Sequence, residues 1–168
     1  LPNIRQRLPS IWVLRHARLI IAREPLSLHF LEQLGVAQQA IPGPDMAFGM
    51  QAASSKIVEA LFLDMGVTLD TAPRLIGITA INWEGQSQVF DRQARYEAAL
   101  LGAVNHFTTE GAQVIFFPQC TGPSQAEDDR RVAARIMAQA THPAYIFQMP
   151  ELDPALLQAA YGKLDFLI

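Results

Sequence analysis

The chain has 168 residues, 50% of them hydrophobic and 17% charged, so it can bury a core and is too apolar to be disordered. The net charge of −3 argues against general nucleic-acid binding, and the single cysteine, Cys120, excludes an internal disulfide framework and a cysteine-based zinc site. The longest apolar runs are far shorter than the roughly 20 residues of a membrane span, and no signal-peptide pattern opens the sequence, so we expect a soluble, cytoplasmic protein.

The hydrophobic pattern predicts the helices and strands of the first part of the chain. A first helix is expected over residues 10–17, or from an earlier start with a break at Pro9. A strand follows over residues 19–23. Pro25 suits the first turn of the next helix, whose apolar stripe consists of Leu26, Phe30, Leu31 and Leu34. A short strand is expected over residues 39–42.

The pattern weakens over residues 49–73, where a candidate helix begins at Ser54. We place a domain boundary near residues 71–73. Beyond this boundary, an almost wholly apolar strand over residues 75–81 is typical of a parallel sheet that is covered on both faces. A long helix follows and ends at Gly111.

Strands and helices then alternate to the end of the chain. The remaining elements are expected as a strand over 113–118, a helix over 126–140, a strand over 144–148, a helix over 154–161 and a strand over 164–168. This alternation predicts an α/β fold with parallel, doubly wound sheets covered by helices. We expect residues 1–72 to close a first Rossmann-like domain and residues 73–168 to form most of a second, in a chain that reads as an excerpt truncated at both ends.

Positive charge is concentrated at the start of the chain. Five of the thirteen basic residues precede the first acidic residue, Glu24; they are Arg5, Arg7, Arg15, Arg18 and Arg23. A solvated helix face explains them. The functional alternative is a positive field that draws in an anionic substrate or lies near anionic lipid headgroups.

Ligands of open parallel sheets bind beyond the carboxyl ends of the strands, where loops and helix N-termini meet. In the first part of the chain, Arg23 ends a strand and can form two hydrogen bonds to a carboxylate or phosphate, and Ser27 at the next helix start can add a hydroxyl. The alternative is that Arg23 pairs with Glu24 or Asp45 and only ties the loop. Asp45 itself is expected to cap the turn that follows Pro44.

In the second part, the candidate ligand-binding residues are those that follow the strands. They are Asn82, Trp83, Glu84 and Gly85 after the strand at 75–81, Gln119, Cys120, Thr121 and Gly122 after the strand at 113–118, and Glu151 after the strand at 144–148. Three consecutive acids, residues 127–129, lie in the first turn of a helix, where the helix dipole is enough to explain them. The sequence has no phosphate-binding glycine motif and no histidine pair at metal-ligand spacing.

Several motifs follow one another along the chain. The first part has Ala-Arg-Glu-x-x-Ser at 22–27, Leu-Gly-Val at 34–36 and Pro-Asp-x-Ala-Phe at 44–48. The second part has the Ile-Gly-Ile strand at 76–78, the Phe-Pro-Gln loop at 117–119 followed by Asp128 and Asp129, and the segment at 163–168. In this order the motifs resemble the polysaccharide pyruvyl transferase family over most of the chain.

The resemblance implies two Rossmann-like domains arranged as in GT-B glycosyltransferases. It also implies transfer of the pyruvyl group of phosphoenolpyruvate to a pair of sugar hydroxyls as a ketal. The residues that we expect to bind substrate are Arg23, Ser27, Asn82, Gln119 and Thr121. We expect Arg23 and Ser27 to face the strand ends of the second domain.

The resemblance places the catalytic group elsewhere. In the family, an Arg-x-His pair with the histidine as general acid follows a strand similar to residues 164–168, so the pair is expected beyond Ile168 and the catalytic residues are unknown. The glycine-rich motif of the family's N-terminal part is also missing. The expected partners are phosphoenolpyruvate as donor and a saccharide or lipid-linked saccharide of a cell-surface or exopolysaccharide as acceptor. We expect no metal, no further cofactor and no nucleic acid, with peripheral contact at the inner face of the membrane.

Two alternatives stay open. The first is a GT-B glycosyltransferase that uses a nucleotide sugar, which would carry a glutamate or an Arg-Lys pair against the nucleotide diphosphate. The second is a non-catalytic sugar-binding or assembly domain, in which replacement of Arg23 would remove no activity. Pyruvyl transfer instead predicts that phosphoenolpyruvate is consumed and phosphate is released in the presence of a sugar.

Overall fold

The chain forms two compact units, Leu1–Met50 and Gln51–Ile168. The computed structural model describes residues 4–69, 74–83, 91–148 and 153–168. The division between the units falls earlier than the predicted boundary at 71–73, which itself lies outside the described residues. The reason is that the helix Ser55–Asp64 packs with the second unit.

Within the described residues, the first unit combines two helices with a two-stranded parallel sheet. Its elements are α1 (Ile4–His16), β1 (Ile20–Ala22), α2 (Pro25–Gln33) and β2 (Ala40–Pro42), with 3-10 turns at Ala37–Gln39 and Met46–Gly49. These bounds confirm the predicted order of helix, strand, helix and strand. Helix α1 takes the earlier start, and Pro9 lies inside it without the break that the sequence predicted.

The small sheet of the first unit is covered on one face. The buried apolar side chains on that face are Ala22, Leu31, Leu34 and Val36. Ile21 and Ile41 point the other way, because successive side chains of a strand alternate, and they are 47% and 50% exposed. The core of this unit is therefore small.

The second unit contains a four-stranded parallel sheet and its helices. The elements are α3 (Ser55–Asp64), β3 (Leu75–Ile78), α4 (Gln93–Thr109), β4 (Gln113–Phe116), α5 (Asp129–Met137), β5 (Tyr145–Ile146), α6 (Pro154–Tyr161) and β6 (Phe166–Leu167). The strand order is β5-β4-β3-β6. The chain thus adds strands in one direction from β3 to β5 and then returns to place β6 on the other side of β3, which is the pattern of a doubly wound sheet.

Helices cover both faces of this sheet. Ile76, Ile78, Val114 and Phe116 pack against α4 and α5 on one face, whereas Leu75, Ile115 and Phe117 pack against α3 and α6 on the other. Burial on both faces explains why the strands are almost continuously apolar. The parallel sheets and their helices confirm the predicted α/β class; that the two units are parts of two Rossmann-like domains in a GT-B arrangement stays a prediction.

Polar side chains fasten the starts of two strands in the second unit. The Gln113 carboxamide accepts a hydrogen bond from the Thr68 backbone N–H over 3.0 Å and donates one to the Thr68 carbonyl, as a neighbouring strand would. The Asp165 carboxylate accepts from the Leu75 N–H over 2.7 Å, and the Asp165 N–H donates to the Leu75 carbonyl over 2.9 Å. These contacts align β4 and β6 with the rest of the unit.

Candidate functional site at the strand ends

The carboxyl ends of the strands in the second unit carry two loops, which we call the β3 loop (residues 79–83) and the β4 loop (residues 117–124). Strand β6 ends beside β3, where the Thr79 N–H and hydroxyl both donate to the Ile168 carbonyl over 2.8 and 3.1 Å. The strand order reverses between β3 and β6. Ligands of open α/β sheets bind at this point of reversal, because the loops on either side diverge and leave a crevice.

Helix α4 fixes the β3 loop from one side. The Tyr96 hydroxyl donates to the Thr79 carbonyl and accepts from the Ile81 N–H, both over 3.3 Å. Gln93 is only 4% exposed; it accepts from the Trp83 N–H over 3.1 Å and donates to the Ile81 carbonyl over 3.2 Å. Burial raises the pKa of the Tyr96 hydroxyl, so this group stays a neutral donor at physiological pH.

Asp129, the first residue of α5, joins the β3 loop to the β4 loop. Its carboxylate accepts three backbone N–H groups: Oδ1 accepts from Asn82 over 3.3 Å, and Oδ2 accepts from Gln119 and Cys120 over 3.1 and 2.8 Å. The Asp129 N–H returns a hydrogen bond to the Cys120 carbonyl over 2.9 Å. The residue is 1% exposed. The helix-dipole explanation for this acid was therefore incomplete, because the side chain is buried against loops that are distant in sequence.

The two acids before Asp129 stabilise the approach to α5, but they precede its first turn, where the sequence predicted them to lie. Ser124 and Glu127 form a reciprocal capping box at a 3-10 turn, and the Asp128 carboxylate caps α5 by accepting from the Arg130 N–H over 3.0 Å. The Arg130 guanidinium also forks onto Asp128 over 2.8 and 2.7 Å and holds the pKa of that carboxyl below its ordinary value. These are contacts of a helix N-terminus.

The predicted substrate-binding residues of the second unit lie at this edge of the sheet. The Asn82 amide donates to the Ala126 carbonyl over 2.6 Å, and the Gln119 amide donates to the Tyr161 hydroxyl over 2.6 Å. Thr121 is exposed and forms a backbone bridge with Asp128. The structure therefore brings Asn82 and Gln119 together through the backbone contacts of Asp129. Glu84, Gly85 and Glu151 lie outside the described residues.

In the first unit, Arg23 and Ser27 each pair with an acid. Arg23 Nη1 donates to Asp45 Oδ2 over 2.6 Å, and Ser27 donates to Glu24 over 3.0 Å. Asp45 also accepts from the Ala47 N–H over 3.0 Å, as expected of a turn cap, and this bond together with Arg23 lowers the pKa of its carboxyl. The Arg23 side chain is 67% exposed. The Arg23–Asp45 contact is the ion pair that the sequence left open as an alternative to ligand binding.

Beside Ser27, the outer surface of α2 forms an open groove of about 450 Å³. It is lined by Glu24, Leu26, Ser27, His29, Phe30 and Gln33. Two members of the predicted apolar stripe thus face this groove, because Leu26 is 73% and Phe30 39% exposed, whereas Leu31 and Leu34 are buried. The stripe of α2 is wider than the small core that it covers.

Other chemistry is sparse in the part of the chain that the structure describes. No group of three His, Cys, Asp or Glu side chains there could hold a metal ion, and no helix there is long and apolar enough to cross a bilayer. Cys120 is partly buried, and its thiol donates to the Gly122 carbonyl over 3.1 Å. His16 bonds to the Trp12 carbonyl, and its ring packs at a tilt against the Trp12 ring, which is a helix-surface role.

Comparison of the chain with solved structures and with protein-family models gives two different results. No solved structure matches the chain. A model of the polysaccharide pyruvyl transferase family matches residues 10–168, a range that includes both sheets and both strand-end loops. A match of this extent confirms the resemblance noted in the motifs, and the chain belongs to the polysaccharide pyruvyl transferase family.

Proposed function

We propose that this chain takes part in transferring the pyruvyl group of phosphoenolpyruvate to a saccharide, with formation of a ketal. Family membership indicates a transferase with a saccharide acceptor, and the match over residues 10–168 is the observation that carries the proposal. The resemblance to the family further suggests phosphoenolpyruvate as the donor, a cell-surface polysaccharide as the product and the cytoplasm as the location. A lipid-linked acceptor would bring the protein to the inner face of the membrane.

The reaction requires one proton donor and one anion-binding site. Protonation of the methylene carbon of the enol makes the neighbouring carbon electrophilic, and a sugar hydroxyl adds to that carbon. Phosphate leaves with cleavage of its C–O bond, and a second hydroxyl closes the ketal. The two sugar hydroxyls release two protons in total. One of them replaces the proton that the methylene carbon took up to become a methyl group, and the other leaves with the phosphate.

Arg23 is the side chain of the first unit that best suits the donor. A guanidinium forks onto a carboxylate or phosphate, and both groups occur in phosphoenolpyruvate. Its present partner, Asp45, is 37% exposed, so an anionic ligand can take the place of that carboxylate without opening a core. Ser27 lies one helical turn further and can supply a hydroxyl when released from Glu24.

The β3 and β4 loops are the corresponding candidates in the second unit. Asn82, Gln119 and Thr121 lie at the carboxyl edge of the sheet, where a parallel α/β sheet offers its ligand crevice. The end of β6 lies at the same edge. The family resemblance expects the Arg-x-His pair just after this strand, so the proton donor would enter the crevice beside Thr79.

The experiment uses the polypeptide as its gene encodes it. It is incubated with phosphoenolpyruvate and a panel of saccharide acceptors, and both released phosphate and the mass of the acceptor are measured. We expect phosphate release that depends on the acceptor, together with an acceptor that gains one pyruvyl ketal. Turnover of a nucleotide sugar without phosphoenolpyruvate would show a glycosyltransferase instead, and turnover of neither donor would favour a non-catalytic domain.

A pair of arginine variants tests the proposed donor site. Arg23→Ala should raise the KM for phosphoenolpyruvate by about tenfold or more, because a charge-assisted, bidentate contact to an anion is lost. Arg18→Ala is the matched control, since Arg18 is exposed and lies only five positions earlier. Equal kinetics for the two variants would remove Arg23 from the site.

A further inference from the structure

The most deeply buried acid among the described residues is Asp129, and its carboxylate contacts two loops at once. Carboxylates are rarely buried unless their charge is compensated, because removal from water costs several kcal/mol. Here the compensation comes from three backbone N–H groups, of Asn82, Gln119 and Cys120.

Helix capping does not account for this burial. Asp128 already caps α5 through the Arg130 N–H, and Asp129 is the first residue of the helix. A second acid at a helix start usually remains exposed, where the helix dipole stabilises it by less than about 1 kcal/mol. The position of Asp129 therefore has a cause outside the helix, and the loops that it contacts are that cause.

Each oxygen of the Asp129 carboxylate contacts a different loop. Oδ1 contacts the β3 loop, at Asn82, and Oδ2 contacts the β4 loop, at Gln119 and Cys120. The spacing of the loops is thus set by the fixed distance between two oxygens of one rigid group. An asparagine could replace only one of them, because its NH₂ group is a donor and would face another donor.

A second set of contacts holds the same loop from helix α4. Gln93 bonds to the backbone of the β3 loop and donates to Glu97 over 2.8 Å, and Glu97 pairs with Arg135 of α5. The Asn82 side chain meanwhile bonds to the Ala126 carbonyl just before α5. Both helices therefore hold the β3 loop, and Asp129 is the point at which the β4 loop joins this network.

We propose that Asp129 is a positioning residue for pyruvyl transfer: its carboxylate sets the arrangement of the β3 and β4 loops at the carboxyl edge of the sheet, next to the reversal of strand order between β3 and β6. It acts on substrate only through the backbone of these loops, which carry Asn82, Gln119 and Thr121. The inference rests on the proposed function for the reaction that it serves. The hydrogen bonds from the Asp129 carboxylate to the N–H groups of Asn82, Gln119 and Cys120, which we call the clamp, are testable without any substrate.

The test compares Asp129→Asn with a matched control, Asp153→Asn. Asp153 also accepts two backbone N–H groups at the start of a helix of the second unit, but it is exposed, and among the described residues its carboxylate bonds within its own helix. Native-state amide exchange is measured residue by residue in the full polypeptide, together with the free energy of unfolding. Phosphate release from phosphoenolpyruvate is measured at a temperature where each variant is folded.

In Asp129→Asn, the amides of Asn82, Gln119 and Cys120 should lose protection by about tenfold more than the amides of β4, and kcat/KM should fall by about tenfold or more. Asp153→Asn should keep the wild-type kcat/KM. A uniform loss of protection, or an activity loss that matches the unfolded fraction, would show a purely structural residue and overturn the proposal. If these three amides lose exchange protection selectively in Asp129→Asn, but the wild-type protein does not turn over phosphoenolpyruvate, the clamp is retained and the proposed reaction is overturned.

The wild-type protein provides a test that does not depend on the folding of a variant. If the clamp holds the loops, the amide hydrogens of Asn82, Gln119 and Cys120 exchange only when the sheet itself opens. Their exchange rates should then be similar to those of the amides of β4. Exchange of these amides about tenfold faster than that of Ile115 would contradict the proposal, because the loops would then open independently of the sheet.

Discussion

The two units place polar side chains at the carboxyl end of a parallel strand, but they hold these side chains in opposite ways. In the first unit, Arg23 and Asp45 form an exposed ion pair. In the second unit, Asp129 is buried, and its carboxylate accepts three backbone N–H groups. An exposed pair can exchange partners at little cost, whereas a buried acceptor fixes whatever it contacts. The comparison suggests a division between side chains that can meet a ligand and side chains that shape the loops.

The difference arises from the size of the two sheets. The sheet of the first unit has two strands, and the described helices cover one face, so the Arg23 side chain, just beyond β1, remains exposed. The sheet of the second unit has four strands and helices on both faces, so α4 and α5 can reach over the strand ends. Buried polar contacts require this cover, because water would otherwise compete for the same N–H groups.

The largest effect on the free energy of unfolding is expected from removal of the buried Asp129 carboxylate. Asp129→Ala leaves three N–H groups without their acceptor, and each unsatisfied group costs about 1–3 kcal/mol. We expect the free energy of unfolding to fall by about 3 kcal/mol or more in urea denaturation. Asp153→Ala, which removes an exposed cap, should cost about 1 kcal/mol. Equal losses for the two variants would contradict the contrast between exposed and buried carboxylates.

A smaller effect is expected from the tyrosine that holds the β3 loop. Tyr96→Phe removes the hydroxyl that bonds to Thr79 and Ile81, and should lower the free energy of unfolding by about 1–2 kcal/mol. Tyr145→Phe is the control, because no hydrogen bond of its hydroxyl is found among the described residues; its expected change is below about 0.5 kcal/mol. Chemical denaturation of both variants gives the comparison, and a larger loss for Tyr145→Phe would rule out the role of Tyr96.

The ion pair between α4 and α5 makes a contribution that depends on pH. The hydrogen bond from Arg135 holds the pKa of Glu97 below its ordinary value of 4.5, so the unfolded chain takes up this proton first as the pH falls. The stabilisation is therefore present above pH 4.5 and is lost as the pH falls through the lower pKa of the folded state.

Glu97→Gln should consequently show a shallower loss of stability than the wild type as the pH falls below 4.5. Glu110→Gln is the control, because it removes the same charge from an exposed position at the end of α4. Urea titrations at a series of pH values measure the slopes. Identical slopes for the wild type and Glu97→Gln would show that the pair does not contribute.

The smallest effect on stability is expected in the first unit. Arg23→Ala should leave the midpoint of denaturation unchanged within error, because an exposed ion pair contributes little after screening and side-chain entropy are counted. A clear fall in the midpoint would mean that the Arg23–Asp45 pair is a structural tie. The contrast with Asp129 would then be one of degree only.

The order of the elements could be predicted from the sequence because hydrophobic period and capping residues are local signals. Asp153 and Pro154 predict the start of α6, and the structure confirms it: Asp153 accepts from the N–H groups of Ala155 and Leu156. The strands are shorter than predicted because apolar residues such as Ala80 and Phe117 continue past the sheet and are buried in loops. Local apolar character does not distinguish a strand from a buried loop.

The candidate site was less accessible to prediction from sequence. The partners of Asp129 lie nine or more positions away in the chain, and the contact with Asn82 spans 47 positions, so a pattern of neighbouring residues cannot show it. The Arg23–Asp45 pair could be weighed in advance because both residues belong to loops that follow parallel strands. The packing of α3 with the second unit was missed because its weak local pattern gives no partner.

The strand starts of the second unit have a consequence for how its sequence can change. A strand that is apolar on both faces carries no alternation to define its register, so a shift by one residue would still bury apolar groups. Gln113 and Asp165 remove this ambiguity, because each bonds to one particular peptide group at the base of the sheet. The branched apolar residues of β3 and β4 should therefore tolerate exchange among Val, Ile and Leu. The strands are aligned by these two polar residues and by Gly77, beside which Leu164 and Leu167 leave no room for a Cβ.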